Sequence, residues 1–147
     1  MNKEEFVRQA YAAAVQSSEQ SGMPPLVTAA QAALESNWGE SGLSKAANNY
    51  FGIKAHAGHD RVLMRTNECE HGSQVVITAA FAKYGSMLEC FRYRDGIIAK
   101  GALYSAARKQ LGDEAGFITE IAKHWATDPK YAEKLMAMFS EVKGMLK

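Results

Sequence analysis

Apolar residues recur along most of the chain at the three-to-four-residue spacing of a helix with one buried face. Phe6, Ala10 and Ala14, with Tyr11 and Val15, form the first stripe. Asn2 followed by Glu5 has the pattern of a capping box before it, and Gly22 closes it. Pro24-Pro25 opens a second helix, along one side of which lie Val27, Ala30, Gln31, Leu34 and Trp38. Asn37-Trp38-Gly39 marks its end. From Asp60 to Tyr84 the period drops to two. Val62, Met64 and Thr66 alternate with Leu63, Arg65 and Asn67, and Val75, Ile77 and Ala79 alternate with Val76 and Thr78. Glu70-His71-Gly72-Ser73 supplies turn residues between them, which predicts a β-hairpin. Helical spacing resumes at Ser86-x-x-Glu89, a second capping box, and again over Phe117 to Trp125, with Phe117, Ile118, Ile121 and Trp125 placed to pack. Thr127-Asp128-Pro129 predicts the start of a last helix with Tyr131, Leu135, Met138, Phe139 and Val142 inward.

The expected fold is therefore mainly α with one β-hairpin, an α+β, lysozyme-like arrangement. A helical lobe and a small β-lobe would flank a substrate cleft able to take an extended polymer. The chain has 147 residues, no internal repeat and no linker, so 1–147 reads as one catalytic domain. Seventeen basic residues against sixteen acidic ones give a net charge of +1, which argues against nucleic acid or a membrane surface as partner. No apolar run approaches the ~20 residues of a membrane span. The opening MNKEEFVRQAYAAAVQSSEQ lacks the apolar stretch of a secretory leader, so synthesis in the cytoplasm without a signal peptide is the expectation. Cys69 and Cys90 are too few for a disulfide framework and read as two reduced thiols.

Glu35 is the residue with the most suggestive surroundings. It closes an alanine-rich helix in AALESNWG, with Gln31 and Trp38 one turn away. Apolar neighbours and the negative end of the helix dipole both oppose ionisation of a carboxyl there. A carboxylic acid kept protonated near neutral pH is what glycoside hydrolysis needs to protonate its leaving oxygen, usually beside a second carboxylate. Glu68, which shares strand parity with Val62, Met64 and Thr66, and Glu70 are the hairpin's acidic residues. A solvated glutamate at a helix end and solvated acids at a hairpin tip are the plainer alternatives. His56-x-x-His59-Asp60 with His71 nearby has neither a cysteine pair nor an HExxH pattern beside it, so no metal is expected.

ALESNWGES followed by NNYFGIK resembles the signature of the glucosaminidase domains of glycoside hydrolase family 73. RTNECEHG is similar to the family's hairpin segment, and WATDPKYAEKL resembles its closing motif. The three occur in the family's order, and the resemblance runs from about Phe6 to Val142. The resemblance implies hydrolysis of the β-1,4 bond after N-acetylglucosamine in peptidoglycan, with no cofactor. It implies Glu35 as the acid and Glu68 as its partner, activating water or stabilising the oxocarbenium-like transition state. A substrate-assisted route, in which the sugar's acetamido group attacks, is a further option. Asn49, Phe51, Gly52 and Lys54 match the family's N-x-F-G-x-K and are expected on the cleft floor. Tyr131 matches the tyrosine after ATDP. Trp125 stands where the family usually has tyrosine, Tyr50 where it has leucine, and Tyr93 where some relatives carry an acid. Trp38, Trp125, Tyr131 and Tyr50 are accordingly the aromatic candidates for sugar contacts.

Two readings compete with the glucosaminidase. A lytic transglycosylase or muramidase also uses a Glu-Ser pair at a helix end, although the Gly-Leu-Met-Gln run common in transglycosylases is missing. A wall-binding module without activity would keep the fold but need neither acid. For biological setting, the size of the domain suits an effector of the type VI secretion system injected into a rival's periplasm, with a phage endolysin as the alternative. The effector reading carries a cognate immunity protein over the cleft, and a monomer is expected in either case.

Overall fold

The computed structural model describes the backbone of residues 1–147 and all side chains except those of Glu68, Cys69 and Glu70. Helix α1 (Lys3–Ser21) starts where Asn2 Oδ1 accepts the Glu5 amide at 2.8 Å. It stops where Gly22 turns left-handed (φ 73°) and its N–H reaches Ser18 O. Phe6, Val7, Ala10 and Ala14 form the buried stripe, but Val15 lies outside it at 38% exposure. It sits too far round the helix to reach the core that Phe6 and Ala10 meet.

Helix α2 (Pro25–Ser36) is buried far more completely than a one-sided stripe requires. Ala29, Ala30, Ala32 and Ala33 are each at most 1% exposed. Small side chains let α1 and α7 (Tyr131–Met145) approach its axis from different sides, which makes α2 the central rod of the helical body. Its C-terminus is unusual. Asn37, Trp38 and Gly39 all have positive φ (49°, 58° and 78°). Left-handed backbone costs a β-carbon-bearing residue roughly 1–2 kcal/mol, so surrounding bonds must hold it. Trp38 N–H reaches Ala33 O at 2.9 Å, Gly39 N–H reaches Ser36 Oγ at 2.8 Å and Ser41 N–H reaches Ser36 O at 3.0 Å. A β-carbon at Gly39 would stand 2.8 Å from the Phe6 ring. Glycine is needed there for the close approach as well as for φ.

Helix α3 (Gly42–Ala47) leads into a loop that sequence periodicity left unassigned. Residues 53–55 of that loop pair with the second strand: Ala82 N–H donates to Ile53 O, Ala55 N–H donates to Ala80 O, and Lys54 bridges Phe81. The hairpin of β1 (Asp60–Glu70) and β2 (Ser73–Lys83) is antiparallel, with register from Asp60 opposite Lys83 to Glu70 opposite Ser73. Its two turn residues, His71 and Gly72, both have positive φ, the condition for a tight hairpin turn that matches strand twist. The alternation is as read: Val62, Met64, Ile77 and Ala79 are half-buried, while Leu63 is 67% exposed on the other face.

Helix α4 (Met87–Lys100) is capped by Ser86, whose Oγ accepts the Glu89 amide, while the Glu89 carboxylate accepts from Gly85 N–H. Arg108 closes its far end by donating to the Ile98 and Gly101 carbonyls at 2.8 and 2.7 Å. Between them a 3-10 turn (Ala102–Tyr104) and the short α5 (Ser105–Arg108) carry the chain round. Helix α6 (Glu114–Trp125) begins three residues before the expected Phe117, because Asp113 Oδ1 accepts the Gly116 amide. Helix α7 begins at Tyr131 instead of Pro129. Asp128 spends its side chain on the Lys130 amide and its carbonyl on Tyr131 N–H, which makes a turn before the helix.

One buried cluster joins α1, α2, α4, α6 and α7. Within it the Cys90 thiol is pushed up to about 12, chiefly by burial, so it stays a thiol. Cys69 lies outside the described side chains. Among the described residues no helix is long and apolar enough to cross a membrane.

Candidate active site

Where the helical body meets the foot of the hairpin, a cleft of about 430 Å³ opens, within the usual size of a small-ligand site. The last turn of α2 brings Glu35 to its wall. The loop before the hairpin contributes Phe51, Gly52, Ile53 and Lys54, and β1 contributes Thr66 and Asn67. Ile97, Tyr104 and Trp125 complete the lining. Among the described residues Glu35 is the sole carboxylate on this wall.

The loop owes its shape to Asn49, which is 1% exposed. Its amide nitrogen donates to the Ile53 and Ala82 carbonyls at 2.8 and 2.9 Å, and its Oδ1 accepts from the Phe51 and Ile53 amides. Asn49 therefore builds the cleft floor without lining it. Phe51 does line it, edge-on to Trp125 at 6.2 Å, and Tyr104 leans on Trp125 at 6.4 Å. The three rings make an apolar wall beside the acid. Tyr104 went unnoticed in the sequence because it lies in an irregular segment with no period to flag it.

Glu35 is half-buried, and burial raises its carboxyl above the usual carboxylate range. The Tyr131 hydroxyl behind it opposes that rise without cancelling it. Tyr131 is 5% exposed, and its own proton is held tighter than a free phenol's, first by burial and then by the negative charge of Glu35. The Tyr131 oxygen also accepts from Gln31 Nε2 at 3.0 Å. Behind Gln31 sits Arg94, which is wholly buried. Its Nε and one terminal nitrogen donate to Gln31 Oε1 at 2.9 and 2.7 Å. The other terminal nitrogen donates to Thr28 Oγ1 and to Asp95 Oδ1, both at 2.8 Å.

Three of the aromatic candidates for sugar contacts, Trp38, Tyr50 and Tyr131, do not line the cleft. Trp38 is 8% exposed and packs into the body, with the Lys3 ammonium 4.8 Å from its ring centre. Helical spacing would set it above Glu35, but the helix stops at Ser36 and the left-handed turn swings the indole away. Tyr50 packs between Phe6 and Phe91, each 6.1 Å from its ring. Tyr131 touches the acid from behind and does not face the opening. Glu68 lies outside the described side chains, and its strand passes the cleft two residues earlier at Thr66. His59 accepts the His56 amide and meets the Tyr93 ring edge-on at 4.6 Å, as part of an aromatic group with Tyr84. Among the described residues no cluster of three His, Cys, Asp or Glu side chains is arranged to hold a metal.

The family model for glucosaminidase, described as mannosyl-glycoprotein endo-beta-N-acetylglucosaminidase, matches residues 11–144. The chain belongs to this family, glycoside hydrolase family 73. It is 37% identical over 119 residues to the exo-glucosaminidase LytG of Bacillus subtilis, covering 78% of this chain and 42% of LytG. It is 34% identical over 134 residues to the peptidoglycan hydrolase FlgJ of Salmonella typhimurium, covering 87% of this chain and 42% of FlgJ. The chain thus spans less than half the length of these two relatives. Among solved structures, the catalytic domain of the autolysin Auto from Listeria monocytogenes superposes with a TM-score of 0.85 at 30% identity, covering 98% of this chain and 86% of that one. A type VI secretion system effector-immunity complex from Pseudomonas protegens matches with a TM-score of 0.66 at 21% identity, covering 98% and 93%, a likeness of fold alone.

Proposed function

We propose that this family 73 domain is a peptidoglycan hydrolase that cuts the β-1,4 bond between N-acetylglucosamine and N-acetylmuramic acid, with Glu35 as general acid. The observation that carries the proposal is a half-buried carboxyl, raised by burial, on the wall of an open cleft beside an aromatic face. Such an acid keeps its proton to higher pH than a solvated carboxyl does and can hand it to the glycosidic oxygen as the bond breaks. Trp125, Tyr104 and Phe51 offer apolar ring surface for the sugar, and Lys54 and Asn67 offer polar contacts. Glu68 takes the second role, activating water or stabilising the oxocarbenium-like transition state. The names of FlgJ and LytG support the choice of peptidoglycan and of the glucosaminidase bond.

Clearing of purified sacculi tests the reading. The wild-type protein should solubilise them and Glu35→Gln should fail while still folding. Equal clearing by both would remove Glu35 from the mechanism, and binding without clearing by the wild type would make this a wall-binding module.

For its setting we propose delivery as a type VI effector into a rival's periplasm, where a cognate immunity protein would plug the cleft over Glu35. The fold likeness to an effector-immunity complex supports this. Expression directed to the periplasm should be lethal and relieved by the product of a neighbouring gene. Lethality that no neighbour relieves would favour a phage lysin.

A further inference from the structure

Arg94 and Asp95 are the only adjacent pair of opposite charges buried together among the described residues, at 0% and 1% side-chain exposure. Burying two ions is expensive unless their polar atoms find partners, and here every side-chain nitrogen and oxygen of the pair has one. Arg94 donates to Gln31, Thr28 and Asp95, and Asp95 Oδ2 accepts from the Ser17 and Ser21 hydroxyls at 2.7 and 2.8 Å. The Phe51 ring, which also lines the cleft, lies 5.7 Å from the guanidinium carbon. Between this ion pair and the acid stand two side chains, Gln31 and Tyr131.

Its chemistry also dictates direction. Guanidinium has donors and no acceptor, so the Gln31 atom facing it must be the carbonyl oxygen. Gln31 Nε2 is thereby turned to the Tyr131 oxygen, 3.0 Å away, as a donor. Tyr131 accepts there and has one proton left, for the Glu35 carboxyl. The geometry points to Gln31 and Arg94 as positioning residues that lock the Tyr131 hydroxyl as a donor to Glu35. One carboxyl oxygen is then held from behind, and the other is left to carry the reactive proton into the cleft. As that proton leaves, negative charge grows on Glu35 and the Tyr131 bond strengthens, so the device acts more on the transition state than on bound substrate.

This inference rests on Glu35 being the acid. The test is a double-mutant cycle with Gln31→Glu and Tyr131→Phe, read on soluble glycan fragments, with Glu35→Gln as reference. Gln31→Glu keeps the size and both bonds from Arg94 but offers Tyr131 an acceptor in place of a donor, so the hydroxyl turns away from Glu35. We expect kcat to fall about 10- to 100-fold with KM little changed. We also expect the alkaline limb of the pH profile to move upward, since Glu35 loses a bond that favours its ionised form. Tyr131 of α7, and Tyr104 of the 3-10 turn and Lys54 of the loop on the cleft lining, are unchanged by that variant, as are Arg94 and Asp95 of α4. The carboxylate it adds at position 31 pushes Glu35 the same way, and Gln31→Met, which adds no charge, separates that effect from the lost bond. In the Tyr131→Phe background the Gln31 substitution should add almost nothing. Should Gln31→Glu not fold, Gln31→Met removes the same donor at similar volume and runs the same cycle. Wild-type kcat in the Gln31 variant, or an equal loss with phenylalanine at 131, would overturn the inference while an inactive Glu35→Gln left the acid in place. An active Glu35→Gln would overturn both.

Discussion

Glu35 is held at a cost to the fold, and that cost can be measured. Its carboxyl ionises at higher pH in the folded protein than in the unfolded chain, with burial as the main cause. The folded state therefore keeps the proton longer, and stability is lost as pH rises from the unfolded value through the folded one. Glu35→Gln should then raise the Tm at pH 7–8, with the gain shrinking towards pH 4 where both states are protonated. A Tm difference independent of pH would mean that the carboxyl is not perturbed. Trp125 belongs at this scale too, as the most open ring of the aromatic wall. Trp125→Ala should raise KM for glycan fragments about tenfold, equivalent to about 1.4 kcal/mol. Trp125→Tyr, the residue usual in the family motif, should restore most of it. An unchanged KM in the alanine variant would take the indole out of the sugar site. Glu35 was legible in the sequence because apolar residues surround it locally. The roles of Tyr131 and Arg94 were not, since they reach the acid from 96 and 59 positions further along the chain and only packing brings them there.

The element that matters most is the turn after α2. A helix ending normally would point residue 38 over the acid, which is why Trp38 read as a sugar contact. Three left-handed residues instead bury the indole and bring the Gly39 backbone against Phe6 of α1. Gly39→Ala adds a β-carbon into that ring at a φ which alanine disfavours. It should cost about 2 kcal/mol or more, read as a lower Tm, and should weaken activity by loosening the α2 terminus. A Tm equal to the wild type's would show that Phe6 yields freely. The hairpin was legible down to its turn, because period-two alternation and a His-Gly pair between the strands specify it. The segment from Gly101 to Asp113 was not, because its 3-10 turn and one-turn helix are too short to show a period. Its stop on α4 depends on Arg108 donating to carbonyls seven and ten residues back.

At the scale of the whole molecule, the helical body supplies the acid and its support, and the hairpin with its preceding loop supplies the facing wall. Asn49 holds that facing wall together by fixing the loop to β2 through the Ala82 carbonyl. This division of labour accounts for an open cleft between body and hairpin. It leaves the bond chosen along the glycan as the central question, since the sugar alternates and a shift of one ring changes the product. The measurement that answers it is mass spectrometry of the muropeptides released from purified sacculi by the wild type and by Glu35→Gln. Reducing N-acetylglucosamine ends from the wild type alone are the predicted result. Anhydro-muramic ends, or reducing N-acetylmuramic ends, would contradict the glucosaminidase assignment, and equal release by the variant would contradict the acid.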